Sequence, residues 1–278
     1  MKTIGVISTE LKKVIISPYF LIGVSAFTLM CFTSEAYYDG TKRYAVFDMI
    51  KLMGTDMAGN PEFSAENICQ RGFGGWLIMF MGIIVSFPFV KVMCDERNYS
   101  EKRYIIARTG IFRYSFSKLI SAVLSAAAIC VAGYLLFTAT VYMIFPKASE
   151  MGGEISEYLY ITPYLKNILA VAITGAAYAI SAYLICAFIR NQYLCICIPF
   201  LANHLYKVVL EKFMSDNIYD TNAQTSMAIL NSLSPLSLSS FVYGVENNNY
   251  SIYIYAILFI IVLIIFNFMQ RRNTDVGQ

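Results

Sequence analysis

The sequence predicts an all-α, polytopic membrane protein, with six transmembrane helices preceded by an N-terminal interfacial amphipathic helix. Three observations lead there. The 278-residue chain is 58% hydrophobic and only 14% charged, against roughly 25% charged in soluble domains. Several segments carry about 18 or more apolar residues without a charge, the length that crosses a bilayer core. The charges gather at the edges of these segments, and the densest group, Lys91 to Lys118, lies between two of them.

Taken in order, residues 1–16 form the interfacial helix. Ile4, Ile7, Leu11, Val14 and Ile15 can share one face, interrupted by Lys2, Glu10, Lys12 and Lys13, as in a helix lying on the inner leaflet. Ser17 suits an N-cap and Pro18 the first helical position, so a new helix is expected there. The alternative is one long helix kinked at Pro18, which a bilayer tolerates. Residues 17–272 form the transmembrane domain. The first span is Tyr19 to Thr33 and the second about Phe73 to Val90, with Trp76 at its outer interface. The third is Leu119 to Phe145 and the fourth Ile168 to Ile189. After the tight turn Arg190-Asn191-Gln192 comes an interrupted fifth segment. It has an apolar run to Ala202, the polar pair Asn203-His204, a second run around Lys207, and Pro199 in its middle, and reads either as a broken helix or as a span whose outer half lines protein or water. The sixth span is about Ser251 to Met269, closed by Arg271-Arg272, with a tail at 273–278.

The loops set the orientation. External loops are expected at 34–72, 146–166 and 211–250, with turn signals at Asp39-Gly40 and Asn60-Pro61. The polar loop 91–118, with seven Lys/Arg against three acids, belongs in the cytoplasm, because basic residues near span ends resist translocation. On that topology the inner side has 13 basic and 5 acidic residues, and the outer side has the remaining 8 basic and 13 acidic of the 21 and 18 in the chain. The expectation is a multi-pass protein of the plasma membrane with both termini cytoplasmic. The first apolar run follows sixteen amphipathic residues, so a cleavable signal is not expected.

Several chemistries find no support. There is no GxxxxGK[ST], HExxH or GxSxG pattern, and the chain has a single His, so neither a P-loop nor a hydrolase site is expected. The basic residues line membrane edges, which argues against nucleic acid. Five of the seven Cys lie in or beside apolar runs, where they pack as small hydrophobes, and neither a disulfide framework nor a metal site is expected. The third and fourth spans hold no charged residue. Intramembrane charges mark ion and proton pathways, so the energy source is expected on another chain. Asn203 and His204 are the best polar site within the membrane region. They read either as a substrate contact near the outer mouth or as an interfacial pair bonded to a neighbouring helix. Ala172-x-x-x-Ala176, Gly175-x-x-x-Ala179 and Ala126-Ala127-Ala128 supply small faces for close helix contact.

Two stretches resemble the permease subunits of the bacterial ABC transporter type-2 family. Glu10-Leu11-Lys12-Lys13-Val14 through Ser17-Pro18-Tyr19 is similar to the amphipathic elbow helix before the first span. Glu96-Arg97, Ser100, Arg113-Tyr114-Ser115 and Lys118 are similar to that family's loop between spans two and three, although Ser100 stands where Gly-Thr is more usual. The first external loop, at 39 residues, is longer than in the family's compact exporters. The resemblance implies a permease without its own ATPase, moving a substrate, in the export direction. It would pair with a second permease subunit, and cytoplasmic ATP-binding subunits would carry the ATP; this chain would bind no cofactor. The docking and coupling residues implied are Glu96, Arg97, Ser100, Lys102, Arg103, Arg108 and Arg113, with Asn203 and His204 on a possible substrate path. The competing reading is a non-transporting membrane immunity or sensor protein that binds an external ligand.

Overall fold

The computed structural model describes residues 3–52, 61–98, 101–151, 157–189, 191–216, 230–242 and 250–275. Eleven helices and one small hairpin lie within them: α1 (Thr3–Ile15), α2 (Pro18–Cys31), β1 (Glu35–Tyr38), β2 (Arg43–Ala45), α3 (Val46–Leu52), α4 (Ala65–Arg71), α5 (Trp76–Asn98), α6 (Glu101–Thr109), α7 (Ile111–Ile144), α8 (Glu157–Phe188), α9 (Gln192–Asp216), α10 (Ser237–Val242) and α11 (Tyr250–Asp275). The chain is an all-α polytopic membrane protein. Among the described residues α5, α7, α8, α9 and α11 are each long and apolar enough to cross a bilayer, and α1 with α2 makes a sixth if that bent pair is counted as one span.

The bend is sharp and falls at Pro18. α1 and α2 meet at 64°, so a single kinked helix is ruled out in favour of two. Pro18 opens α2, while Ser17 Oγ donates back to the Val14 carbonyl at 2.7 Å instead of capping the new helix. α2 has 14 residues, about 21 Å at 1.5 Å per residue, less than the roughly 30 Å of hydrocarbon.

α7 is the axis of the bundle. At 34 residues it is about 51 Å long, and it packs against α1, α2, α4, α5, α6, α8 and α11. Its buried face holds Leu119, Ile129, Tyr134 and Phe137, all without solvent exposure. The contact with α8 is close: a Cβ on Gly175 would fall 2.4 Å from Cys130 Sγ. The small faces of the third and fourth spans are therefore used within the chain, with Ala126, Ala170, Ala179 and Ala182 fully buried.

Three expectations are corrected here. The segment 91–118 is not an open loop. α5 runs on to Asn98, α6 occupies most of what remains, and α7 begins eight residues before Leu119. The reason is that the charges of 111–118 are compatible with helix: Arg113 points outward, and Lys118 meets carboxylates of other helices. Of the two readings of the fifth segment the broken helix is corrected, since α9 is continuous over 25 residues through Pro199 and Asn203-His204, while its C-terminal half lines a cavity. Loop 34–72 is a folded cap as far as it is described. The β1–β2 hairpin turns at Asp39-Gly40, and Ala65 N donates to the Pro146 carbonyl at 3.0 Å. Tyr134 Oη donates to the Cys69 carbonyl at 2.5 Å, and Asn167 Nδ2 donates to Gln70 O at 3.1 Å. The closing tail is partly helical too, because α11 continues to Asp275. Asn60, Arg190 and half of 211–250 (217–229 and 243–249) lie outside the described residues.

The remaining apolar surface faces outward. Only 11% of the apolar stretch of α11 is buried within the chain, against 61% for α5, and Ile257, Ile260, Ile264 and Phe268 are exposed along it. In a membrane protein such a face is covered by lipid or by another membrane helix.

Candidate functional site

At the basic end of the bundle four charged side chains from three helices meet. Glu10 and Lys13 come from α1, Glu96 from the last turns of α5, and Lys118 from the second turn of α7. Lys118 Nζ lies 2.5 Å from Glu96 Oε2 and also pairs with Glu10. Lys13 Nζ lies 3.0 Å from Glu96 Oε1 and 3.6 Å from Glu10 Oε1. The side chains of Glu10, Glu96 and Lys118 are 4%, 5% and 6% exposed, so this is a buried, electrically balanced cluster. Such burial is tolerated only when each charge has its partners. The Tyr114 ring lies below Lys118, 5.7 Å from Nζ.

Local sequence explains how α1 reaches the cluster. Val6, Glu10 and Val14 recur every fourth residue on one helical stripe, and that stripe is the buried one. Of the apolar face expected to rest on the membrane, Ile4 and Ile15 point outward, Ile7 and Leu11 are half-buried, and Val14 belongs to the stripe that binds the bundle.

The expected coupling residues separate. Glu96 is inside the cluster, with its side chain 5% exposed rather than at the surface. Arg97 is half-buried: Nη1 donates to the Ile189 carbonyl at 3.2 Å, and the guanidinium lies 6.0 Å from the Phe266 ring centre. Arg108 near the end of α6 and Arg113 at the start of α7 are exposed. They flank Gly110, whose φ of +81° makes the corner between the two helices. Lys102 and Arg103 lie in the first turn of α6 with side chains outside the described residues, and Ser100 also lies outside them. Glu10, Lys13 and Lys118 were visible in the sequence only as charges of an amphipathic helix and a span edge. An acid at the centre of a Val-x-x-x-Glu-x-x-x-Val stripe is the signal that could have found them.

At the opposite end is a cavity of about 410 Å³ between the start of α5, the C-terminal half of α9, and the turn before α10. Asn203 and His204 both line it, together with Trp76, Tyr178, Lys207 and Glu211. The His204 ring stacks on Phe200 at 6.3 Å between centres, and Phe200 stacks on Phe80 at 5.6 Å. The alternative for Asn203-His204, an interfacial pair bonded to a neighbouring helix, finds no such bond among the described residues. No group of three or more His, Cys, Asp or Glu side chains able to hold a metal occurs among the described residues. No family model and no curated protein matches the chain.

Proposed function

We propose that the chain is the transmembrane permease subunit of an ABC transporter of the plasma membrane, exporting its substrate with ATP hydrolysed on a separate subunit. In this reading α1 lies on the cytoplasmic leaflet and α2 enters the bilayer as the first of six spans. Both termini are cytoplasmic, two permease subunits pair, and two ATP-binding subunits dock on the α6 side. The observation that carries the reading is the buried cluster of Glu10, Lys13, Glu96 and Lys118. It ties α1 to the end of α5 and the start of α7, and in this reading the elements around α6 move as one body. Arg108 and Arg113 stand exposed on that body and can meet acidic groups through charge-assisted hydrogen bonds. A push on α6 then reaches the spans through rigid elements rather than a loop.

The experiment separates the clamp from the contact. Arg108→Ala with Arg113→Ala is expected to leave the thermal stability of the permease unchanged while weakening ATP-binding-subunit association and abolishing substrate-stimulated ATP hydrolysis. Full association and hydrolysis in that double variant would remove the docking role.

A further inference from the structure

We infer that the cavity opposite α6 is a binding site for an uncharged amphipathic molecule, one with an apolar body and an amide or hydroxyl group. As the transported species this ligand rests on the permease reading; as a bound ligand it does not.

The size fits. At about 410 Å³ the cavity falls in the range of small-molecule sites, roughly 300–1,000 Å³. Its wall is apolar and aromatic, with Trp76, Ile78, Met79, Val208 and Leu236 among its lining. Three polar side chains enter it from two helices: Tyr178 of α8, and Asn203 and His204 of α9. Among the described residues none of these three side chains has a hydrogen-bond partner, although Tyr178 is only 5% exposed. Asn203 and His204 are half-buried, so the three polar groups stay open to the cavity, where a ligand can bond them in place of water. The Tyr178 ring is seated against α5, where a Cβ on Gly82 would lie 3.3 Å from its Cδ1. His204 is held by its stack on Phe200. The donors and acceptors are thus positioned before any ligand arrives.

The charges decide what kind of head group is taken. Lys207 Nζ lies 3.6 Å from Glu211 Oε1, and Glu35 Oε2 accepts from Arg43 Nη1 at 3.0 Å. Each charged group at the rim therefore already has its counterpart, and no unpaired charge selects an ion. The side of access follows from α9. Val208 lines the cavity and is also exposed, as are Leu205 and Val209 beside it. An apolar tail can slide in along the same surface that lipid covers.

Trp76 is the only Trp in the chain, so its fluorescence reports on this cavity. The full chain in phosphatidylcholine nanodiscs is titrated with an ω-bromoundecanoyl ethanolamide, whose bromine quenches indole on contact. The bromoundecanoate and a bromoundecyl-trimethylammonium of the same tail serve as charged comparators. The expected result is saturable quenching by the amide, weakened at least about tenfold for either charged head group. Tyr178→Phe, Asn203→Leu and His204→Phe each remove a polar group with little change of shape. Each is expected to weaken amide binding about two- to tenfold, with the emission of the unliganded variant unchanged. Leu135→Ala, on the exposed face of α7 and outside the cavity lining, is expected to leave it within about twofold. Two results overturn the inference: quenching that rises linearly and equally for all three head groups, as for partition into lipid alone, or saturable binding that none of the three variants alters. A chain that binds the amide but never associates with an ATP-binding subunit retains the site and loses the permease reading; a working permease with linear quenching does the reverse.

Discussion

Glu10 of α1 and Lys118 of α7 are 108 residues apart in sequence and form an ion pair with both side chains at least nine-tenths buried. The pair exists only because Glu96 and Lys13 complete the balance. Removing one member leaves an uncompensated buried charge, which costs about 3–5 kcal/mol. Lys118→Met, which leaves two carboxylates facing Lys13 alone, is therefore expected to lower stability by that order, read as a fall in the unfolding midpoint of the detergent-solubilised chain. Glu10→Gln with Lys118→Met is expected to be milder than the sum of the two single changes, because contacting residues couple by about 0.5–3 kcal/mol. Additive effects would show that the two do not share one cluster.

The cluster was half legible in the sequence. Pro18 announces the break between α1 and α2, and the spans follow from uncharged apolar runs. The cap could be read only as its Asp39-Gly40 turn, because the bonds that fold it run to Tyr134 and Asn167, more than 60 residues away. Lys118 looked like the edge of a span because a lysine beside an apolar run usually meets water. What it meets instead is set by a helix more than a hundred residues earlier. Pro199 and Asn203-His204 left two readings of α9 open, a broken helix and a span lining protein or water, because local breakers alone do not show the neighbours that accommodate them. Asn203 and His204 stood out in the sequence as a polar pair, whereas Tyr178, which lines the same cavity, did not, since it reads as one more aromatic in a span.

Helix packing gives a second test. Gly175 lies where α8 meets α7, and a Cβ would press on Cys130 Sγ at 2.4 Å. Overpacking of this kind costs typically about 1–3 kcal/mol. Gly175→Leu is expected to lower the unfolding midpoint, whereas Leu135→Ala on the exposed face of α7 is expected to leave it unchanged. Equal effects would place the α7–α8 contact elsewhere.

Cys69 bears on how sidedness is measured. It lies in α4 of the cap, 2% exposed, and burial pushes its thiol up to about 12. Only the thiolate attacks a maleimide, so Cys69 is expected to label slowly at neutral pH and faster as the pH rises toward that value. Rapid labelling at pH 7 would contradict its burial. Exposed positions serve better: in variants without other reactive thiols, Lys51→Cys is expected to react with an impermeant maleimide on intact cells and Arg108→Cys only after permeabilisation. The opposite pattern would invert the proposed orientation.

The permease reading stands or falls on a nucleotide-binding partner, and the most direct test is native mass spectrometry of the tagged full chain, extracted from its own membrane in mild detergent, with ATP hydrolysis measured on the same sample. The account predicts an assembly of two copies of this chain with two P-loop ATP-binding subunits, hydrolysing ATP, and losing those subunits when Arg108 and Arg113 are both changed to Ala. A chain that emerges without any ATP-binding subunit, in a preparation that hydrolyses no ATP, would contradict it.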